Sequence, residues 1–248
     1  MEDENVVFYI HLGIFPPTTA SAQKTYDLQA HIYVQTEDAG GLLRYTADDV
    51  PRFSKDSTSN RADEPSTWVK REGAEDSAQT LTTLPLKCHC GSFRGELVRP
   101  SACANQNEPI FKFVDTDRWC WSTCLCTSCR ECSGQPVSPL IFISPSAVVL
   151  ADGRTPADCT MLRYYDSTPG EVFRSFCSTC GASVFYEWRS EESPGNIDLF
   201  LGVVDAPLRH VLEEWLVRKP TNEQYSEDAV HIDVKNAVLA GWKDSRLS

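Results

Sequence analysis

The sequence has no cluster of lysine and arginine, no long apolar run and no glycine-rich phosphate loop. Each absence removes a class of function. Acidic residues outnumber basic ones 35 to 23, for a net charge of -12, so no basic face is available for a phosphate backbone and nucleic acid is not an expected partner. No stretch approaches the ~20 apolar residues that a membrane-spanning helix needs, so no membrane association is expected. The first residues, Met1-Glu2-Asp3-Glu4-Asn5, are acidic where a secretory signal carries positive charge, and the apolar run Val6 to Ile10 ends at His11; no signal peptide is expected. No Ser/His/Asp set with catalytic spacing is present. His31, His210 and His231 stand isolated and read as surface or core residues rather than ligands.

What the chain has in quantity is cysteine, eleven in 248 residues. The count is odd, the chain is not small, and the cysteines group at one- and two-residue spacings, which favours ion binding over a disulfide framework. Reduced thiols imply a reducing compartment, and a cytoplasmic location is expected.

Along the chain, Val6 to Phe15 and Ala30 to Val34 are rich in β-branched and aromatic residues, predicting a strand pair within residues 1–53. The segment His11-Leu12-Gly13-Ile14-Phe15-Pro16-Pro17 is similar to Phe200-Leu201-Gly202-Val203-Val204-Asp205-Ala206-Pro207, which suggests the remnant of a duplicated domain's tail, with chance likeness as the competing reading. Residues 54–83 turn to Ser, Asp, Glu, Lys and Thr and read as a polar linker. Residues 84–217 hold short Val/Ile/Phe/Tyr-rich runs between turn residues: Phe93 to Val98, Ile110 to Val114, Ala147 to Leu150, Met161 to Tyr165, Val172 to Phe176, Ser183 to Trp188 and Ile197 to Val204. With no long helical periodicity between them, they predict a mainly β domain of antiparallel strands. Asp152-Gly153 fits a tight hairpin turn. In residues 218–248, Val230, Val234, Ala237 and Val238 recur at helical spacing after Ser226-Glu227-Asp228, predicting a C-terminal helix.

Three cysteine groups carry the chemistry. Cys88 and Cys90 lie in CHCG, where alternation puts both thiols on one side and His89 on the other. Cys177 and Cys180 lie in FCSTCG, with Gly181 free to turn beneath the sulfurs. Together these pairs would complete a closed four-thiolate zinc site that staples the fold. Cys124, Cys126 and Cys129 have C-x-C-x2-C spacing and could converge on a second zinc. Cys132 or Cys120 would close that site if either supplied the fourth ligand. Otherwise one position stays exchangeable, and three soft anionic sulfurs make the metal a modest Lewis acid toward water but a good holder of an incoming thiol. Arg130 could pair with a substrate carboxylate or neutralise the thiolate-rich complex. Glu131 is the nearest acid or base in sequence, with an ordinary surface role as the alternative.

The order C-x-C-G, C-x-C-x2-C-R-x3-G, F-C-x2-C-G over residues 84–217 resembles the glutathione-dependent formaldehyde-activating enzyme family, which also includes centromere protein V. The resemblance implies a β-tent fold with two zinc ions. Cys88, Cys90, Cys177 and Cys180 match its structural site, and Cys124, Cys126 and Cys129 its catalytic one. Arg130 and Gly134 fall on the pattern, as do Arg174-Ser175-Phe176-Cys177 and the tail Asp198 to Val204 followed by Glu213-Glu214-Trp215. Two departures stand out: Leu125 where many relatives have histidine, and the additional thiol of Cys132.

The expected function is that of a carbon-sulfur lyase acting on a thiol adduct of a small electrophile, with glutathione as a candidate co-substrate and Arg130 anchoring an acidic group. A zinc Lewis-acid enzyme, such as a dehydratase, cyclase or isomerase of a small metabolite, is the second reading. A non-catalytic zinc-stapled interaction module is the third, and predicts two closed tetrahedra.

Overall fold

The computed structural model describes residues 81–104, 110, 117–189, 197–205, 214–218, 225–230, 232, 235 and 236. The N-terminal strand pair and nearly all of the polar linker lie outside the described residues. Ten strands and one α-helix are described: β1 (Thr83–Lys87), β2 (Arg94–Val98), β3 (Trp119–Cys124), α1 (Thr127–Ser133), β4 (Ser138–Ile143), β5 (Val148–Leu150), β6 (Leu162–Thr168), β7 (Val172–Cys177), β8 (Ser183–Trp188), β9 (Ile197–Phe200) and β10 (Leu216–Arg218). They form a three-stranded sheet in the order β1-β2-β5 and a seven-stranded sheet in the order β10-β3-β4-β9-β8-β7-β6. The mainly β expectation holds. Pairing is antiparallel except between β10 and β3, which run parallel with Leu216 opposite Trp119.

Alternation sets the small sheet. In β1, Leu84 and Leu86 point into the core while Pro85 faces out, and Pro85 is tolerated because β1 is an edge strand. The central strands of the large sheet are different. All six residues of β3 are buried, as are five of the six in β4, so neither shows the apolar-polar alternation by which half-buried strands are recognised. Both escape the sequence pattern for this reason. β3 also coincides with the start of the cysteine motif, and Pro139 interrupts β4.

The two sheets meet where Leu86 bridges Val204 and the Asp205 amide donates to the Pro85 carbonyl. Phe93 and Phe185, both fully buried, pack edge to face at 6.0 Å between the sheets. The Trp119 indole N–H donates to the Val98 carbonyl at 2.8 Å, and Arg99 lies 4.2 Å over the Trp215 ring.

Three sequence expectations change. The strand expected over 197–204 stops at Phe200, where Leu201–Val203 winds into a 3-10 turn. The Asp152-Gly153 turn forms, with Gly153 at φ 75°, but it closes no hairpin: β5 pairs with β2 and β6 with β7, so the turn carries the chain from one sheet to the other. Of the C-terminal helix, Ser226–Asp228 is a 3-10 turn and Ile232, Lys235 and Asn236 are helical; its remainder lies outside the described residues, as do residues 111–114 of the expected second strand.

Candidate metal centres

Two groups of sulfurs converge. The first joins the turn after β1 to the turn after β7. In the first turn the Gly91 amide donates to the Cys88 carbonyl at 2.9 Å, and in the second the Gly181 amide donates to the Cys177 carbonyl at the same distance. Gly91 and Gly181 have φ of 76° and 73°, a left-handed conformation that suits glycine best. Each turn presents two sulfurs to the same point, and the four lie within 4.8 Å of one another. Cys88 Sγ is 3.5 Å from Cys177 Sγ and 3.6 Å from Cys90 Sγ, and Cys90 to Cys177 is 3.8 Å. Metal–sulfur bonds of ~2.3 Å in a tetrahedron give edges of ~3.8 Å, so the set fits zinc. The Phe93 amide donates to Cys88 Sγ at 3.2 Å, an added donor to a sulfur that would be anionic when ligating. His89 is exposed and stays outside the group, as its alternation predicts.

The second group lies at the end of β3 and the start of α1. Cys124 closes β3. Cys126 is the N-cap of α1, its sulfur accepting the Cys129 amide at 3.3 Å, and Gly134 ends the helix at φ 69°. This short helix folds Cys126 and Cys129 back over Cys124, and all three sulfurs lie within 4.8 Å of one another. Ser138 Oγ, which donates to the Cys129 carbonyl at 3.2 Å, and Ser183 Oγ, which donates to the Cys132 carbonyl at 3.2 Å, fasten α1 to β4 and β8.

Among the described residues no fourth ligand joins this trio. Cys120 packs in the main hydrophobic core. Cys132 is exposed and directs its thiol to the Cys129 carbonyl at 3.4 Å. In this structure neither sulfur joins the trio.

The trio is electrostatically uneven. The thiols of Cys124 and Cys129 donate toward Cys126, and with the Cys129 amide and the charge of Arg174 they bring its thiol down to about 2 against the cost of burial. Sharing with Cys126 pushes Cys124 up to about 12, and Cys129 also rises, through Cys124, Cys126 and burial. Cys126, half-buried, is thus the sulfur that carries negative charge first, and it faces a cation.

That cation is Arg174, on β7. Its Nη2 lies 4.0 Å from Cys126 Sγ, its guanidinium stacks 4.7 Å over the Tyr186 ring, and its side chain is buried. Burial opposes the charge, but Cys129, Cys132 and Cys126 more than offset it, and the guanidinium is held protonated. Arg130 sits elsewhere. It is fully buried on α1, with Nη2 4.0 Å from the Glu131 carboxylate. The structure therefore brings the seven expected cysteines into two groups and places Arg174 beside the second of them.

Sequence reasoning passed over Arg174 as a catalytic candidate. The available signal was a lone cation in the strand Val172-Phe173-Arg174-Ser175-Phe176-Cys177. It also passed over Tyr186, packed against the cluster of Cys124, Cys129, Leu140 and Phe200, and Tyr225. Tyr225 is a non-glycine residue at φ 54°; burial and the thiols of Cys124, Cys126 and Cys129 raise its phenol. Among the aromatics of the expected strands, Phe185 is core, whereas Tyr165 and Trp188 are exposed. A cavity of about 320 Å³ lies between the end of α1 and the second knuckle, bordered by Cys132, Ser138, Pro139, Gly181 and Phe200.

Residues 111–227 match the glutathione-dependent formaldehyde-activating enzyme family, a span that includes Cys124, Cys126, Cys129, Cys177 and Cys180. A crystal structure of a Rhodobacter sphaeroides protein aligns at 18% identity over 55% of this chain and 100% of that chain, with a TM-score of 0.35. No curated protein matches the chain. Over residues 111–227, the chain is thus similar to the glutathione-dependent formaldehyde-activating enzyme family.

Proposed function

We propose that residues 84–217 form a zinc-dependent enzyme of the carbon-sulfur lyase type, acting on the adduct of a small electrophile with a thiol such as glutathione. The observation that carries this reading is the incomplete sulfur set: Cys124, Cys126 and Cys129 converge while Cys120 and Cys132 turn away. In this reading Cys88, Cys90, Cys177 and Cys180 hold a closed structural zinc, and the trio holds the second. When bound there, zinc supplies an exchangeable position at which a thiol loses its proton and remains nucleophilic near neutral pH.

The chain's own residues do the rest. Three thiolates around a dication leave one net negative charge, and Arg174 offsets it without occupying a ligand position. Tyr186 and Phe200 wall the cluster with apolar surface, which strengthens every charge interaction inside. In the elimination direction the carbon–sulfur bond of the adduct breaks, the electron pair stays on sulfur, and the adduct's hydroxyl gives its proton to a base as the carbonyl forms. Addition reverses each movement.

A cytoplasmic location, where thiols stay reduced, is part of this reading. The proposed organisation keeps 1–53 as an appended strand pair, 54–83 as linker and 218–248 as tail, and a small molecule is the proposed partner. Thiol dependence tests the function. With zinc-loaded protein and formaldehyde, consumption of the aldehyde should require glutathione or another thiol. Turnover of an electrophile with every thiol removed would reject the lyase reading in favour of Lewis-acid chemistry, and a closed second tetrahedron in a zinc-bound structure would reject both.

A further inference from the structure

Arg174 is more than a counter-ion. The residue is 5% exposed, and among the described residues its Nη2 is engaged by Cys126 Sγ at 4.0 Å. Nε and Nη1 have no hydrogen-bond partner among the described residues. A guanidinium that served only to neutralise the thiolates would still have its remaining N–H groups satisfied by carbonyls or carboxylates, because buried donors without partners are costly. Here the guanidinium carbon lies 4.7 Å from the centre of the Tyr186 ring, while part of the donor fork stays unused among the described residues. Planar donors of this kind, pre-set and desolvated, suit a carboxylate held through two parallel hydrogen bonds. Arg130, the arginine that the motif itself offers for this task, lies buried against α1 and its neighbour Glu131.

We propose that Arg174 is the specificity-determining residue of the three-thiolate site, and that it favours thiols carrying a carboxylate within a few bonds of the sulfur over glutathione, whose carboxylates lie farther from its thiol. The proposal rests on the reading of Cys124, Cys126 and Cys129 as an open zinc site. The guanidinium touches one of the ligand sulfurs, so an anion that reaches both metal and arginine must hold its charge close to its own sulfur. β7 also carries Cys177 of the closed site, three residues beyond Arg174, so the structural clasp fixes the strand that presents the arginine.

The test is calorimetric titration of the zinc-loaded full chain with 3-mercaptopropionate and with 2-mercaptoethanol, which differ in the charged group. The wild type should bind the acid more tightly by about ten- to hundredfold, the range expected of hydrogen bonds to a charged group. Arg174→Gln should abolish that preference, weakening 3-mercaptopropionate by about ten- to hundredfold more than 2-mercaptoethanol, with the metal retained. Arg174→Lys keeps the charge but not the fork and should retain only a small part of the preference, which preserves the test if the glutamine variant fails to fold. Equal binding of the two thiols by the wild type would overturn the role of Arg174 alone, as would an equal loss for both in Arg174→Gln, the signature of a counter-ion. Absence of any thiol binding to the zinc-loaded wild type would overturn the open site itself, and this proposal with it.

Discussion

Replacing Cys177 with alanine separates a metal clasp from an ordinary buried cysteine. Cys177 is 1% exposed, and its sulfur lies 3.5 Å from that of Cys88, 89 residues earlier in the chain. If the residue only filled core volume, losing one sulfur would cost about 1–2 kcal/mol, within the usual range for point substitutions. For a protein of this size that lowers the melting temperature by roughly 2–8 °C. If the four sulfurs hold a structural metal, the removed ligand takes with it much of a binding energy of ~10–16 kcal/mol, as large as the ~5–15 kcal/mol net stability of a typical domain. The clasp between the β1–β2 turn and the β7–β8 turn would then be lost, and the cooperative transition should disappear or fall by tens of degrees. Thermal unfolding followed by circular dichroism, on wild type and Cys177→Ala with and without a strong chelator, reads the difference. The wild type with chelator should resemble the variant without it. A drop of only a few degrees, unaffected by chelator, would refute the reasoning.

Other substitutions probe separate parts of the account. Phe93→Ala removes a fully buried ring that meets Phe185 edge to face and should cost about 3–5 kcal/mol in denaturant unfolding, without changing metal content. Cys132→Ser should retain the wild-type metal stoichiometry, since its sulfur points to the Cys129 carbonyl; loss of one ion per chain in native mass spectrometry would show that Cys132 is a ligand after all. Arg99→Ala removes the cation 4.2 Å over Trp215 and should destabilise by about 0.5–2 kcal/mol, readable as a shift in the urea midpoint.

The metal sites were legible because their signal is local. Each pair or trio is fixed by two or three residues of spacing, and the glycines after Cys90 and Cys180 mark the turns that aim the sulfurs. Strands with one exposed face, such as β2 and β6, were legible for a similar reason. β3 and β4 were not, because a strand buried on both faces loses its alternation, and both are interior strands of the large sheet. β10 was hidden by its length of three residues and its parallel pairing to a strand far back in sequence. Arg174 shows the limit most plainly. Its neighbour Cys126 lies 48 residues earlier, and only the assembled order β3-β4-β9-β8-β7 brings the two together, whereas Arg130 stood beside a ligand in sequence and drew the assignment.

The central claim is that two sulfur clusters of different completeness bind metal independently. Native mass spectrometry of wild type and Cys126→Ser, with circular dichroism to check the fold, tests it most directly. The account predicts two zinc ions in the wild type and one in the variant, with the fold intact. A wild type with no stoichiometric metal or with disulfide-linked cysteines would contradict it, as would a variant that unfolds or keeps both ions.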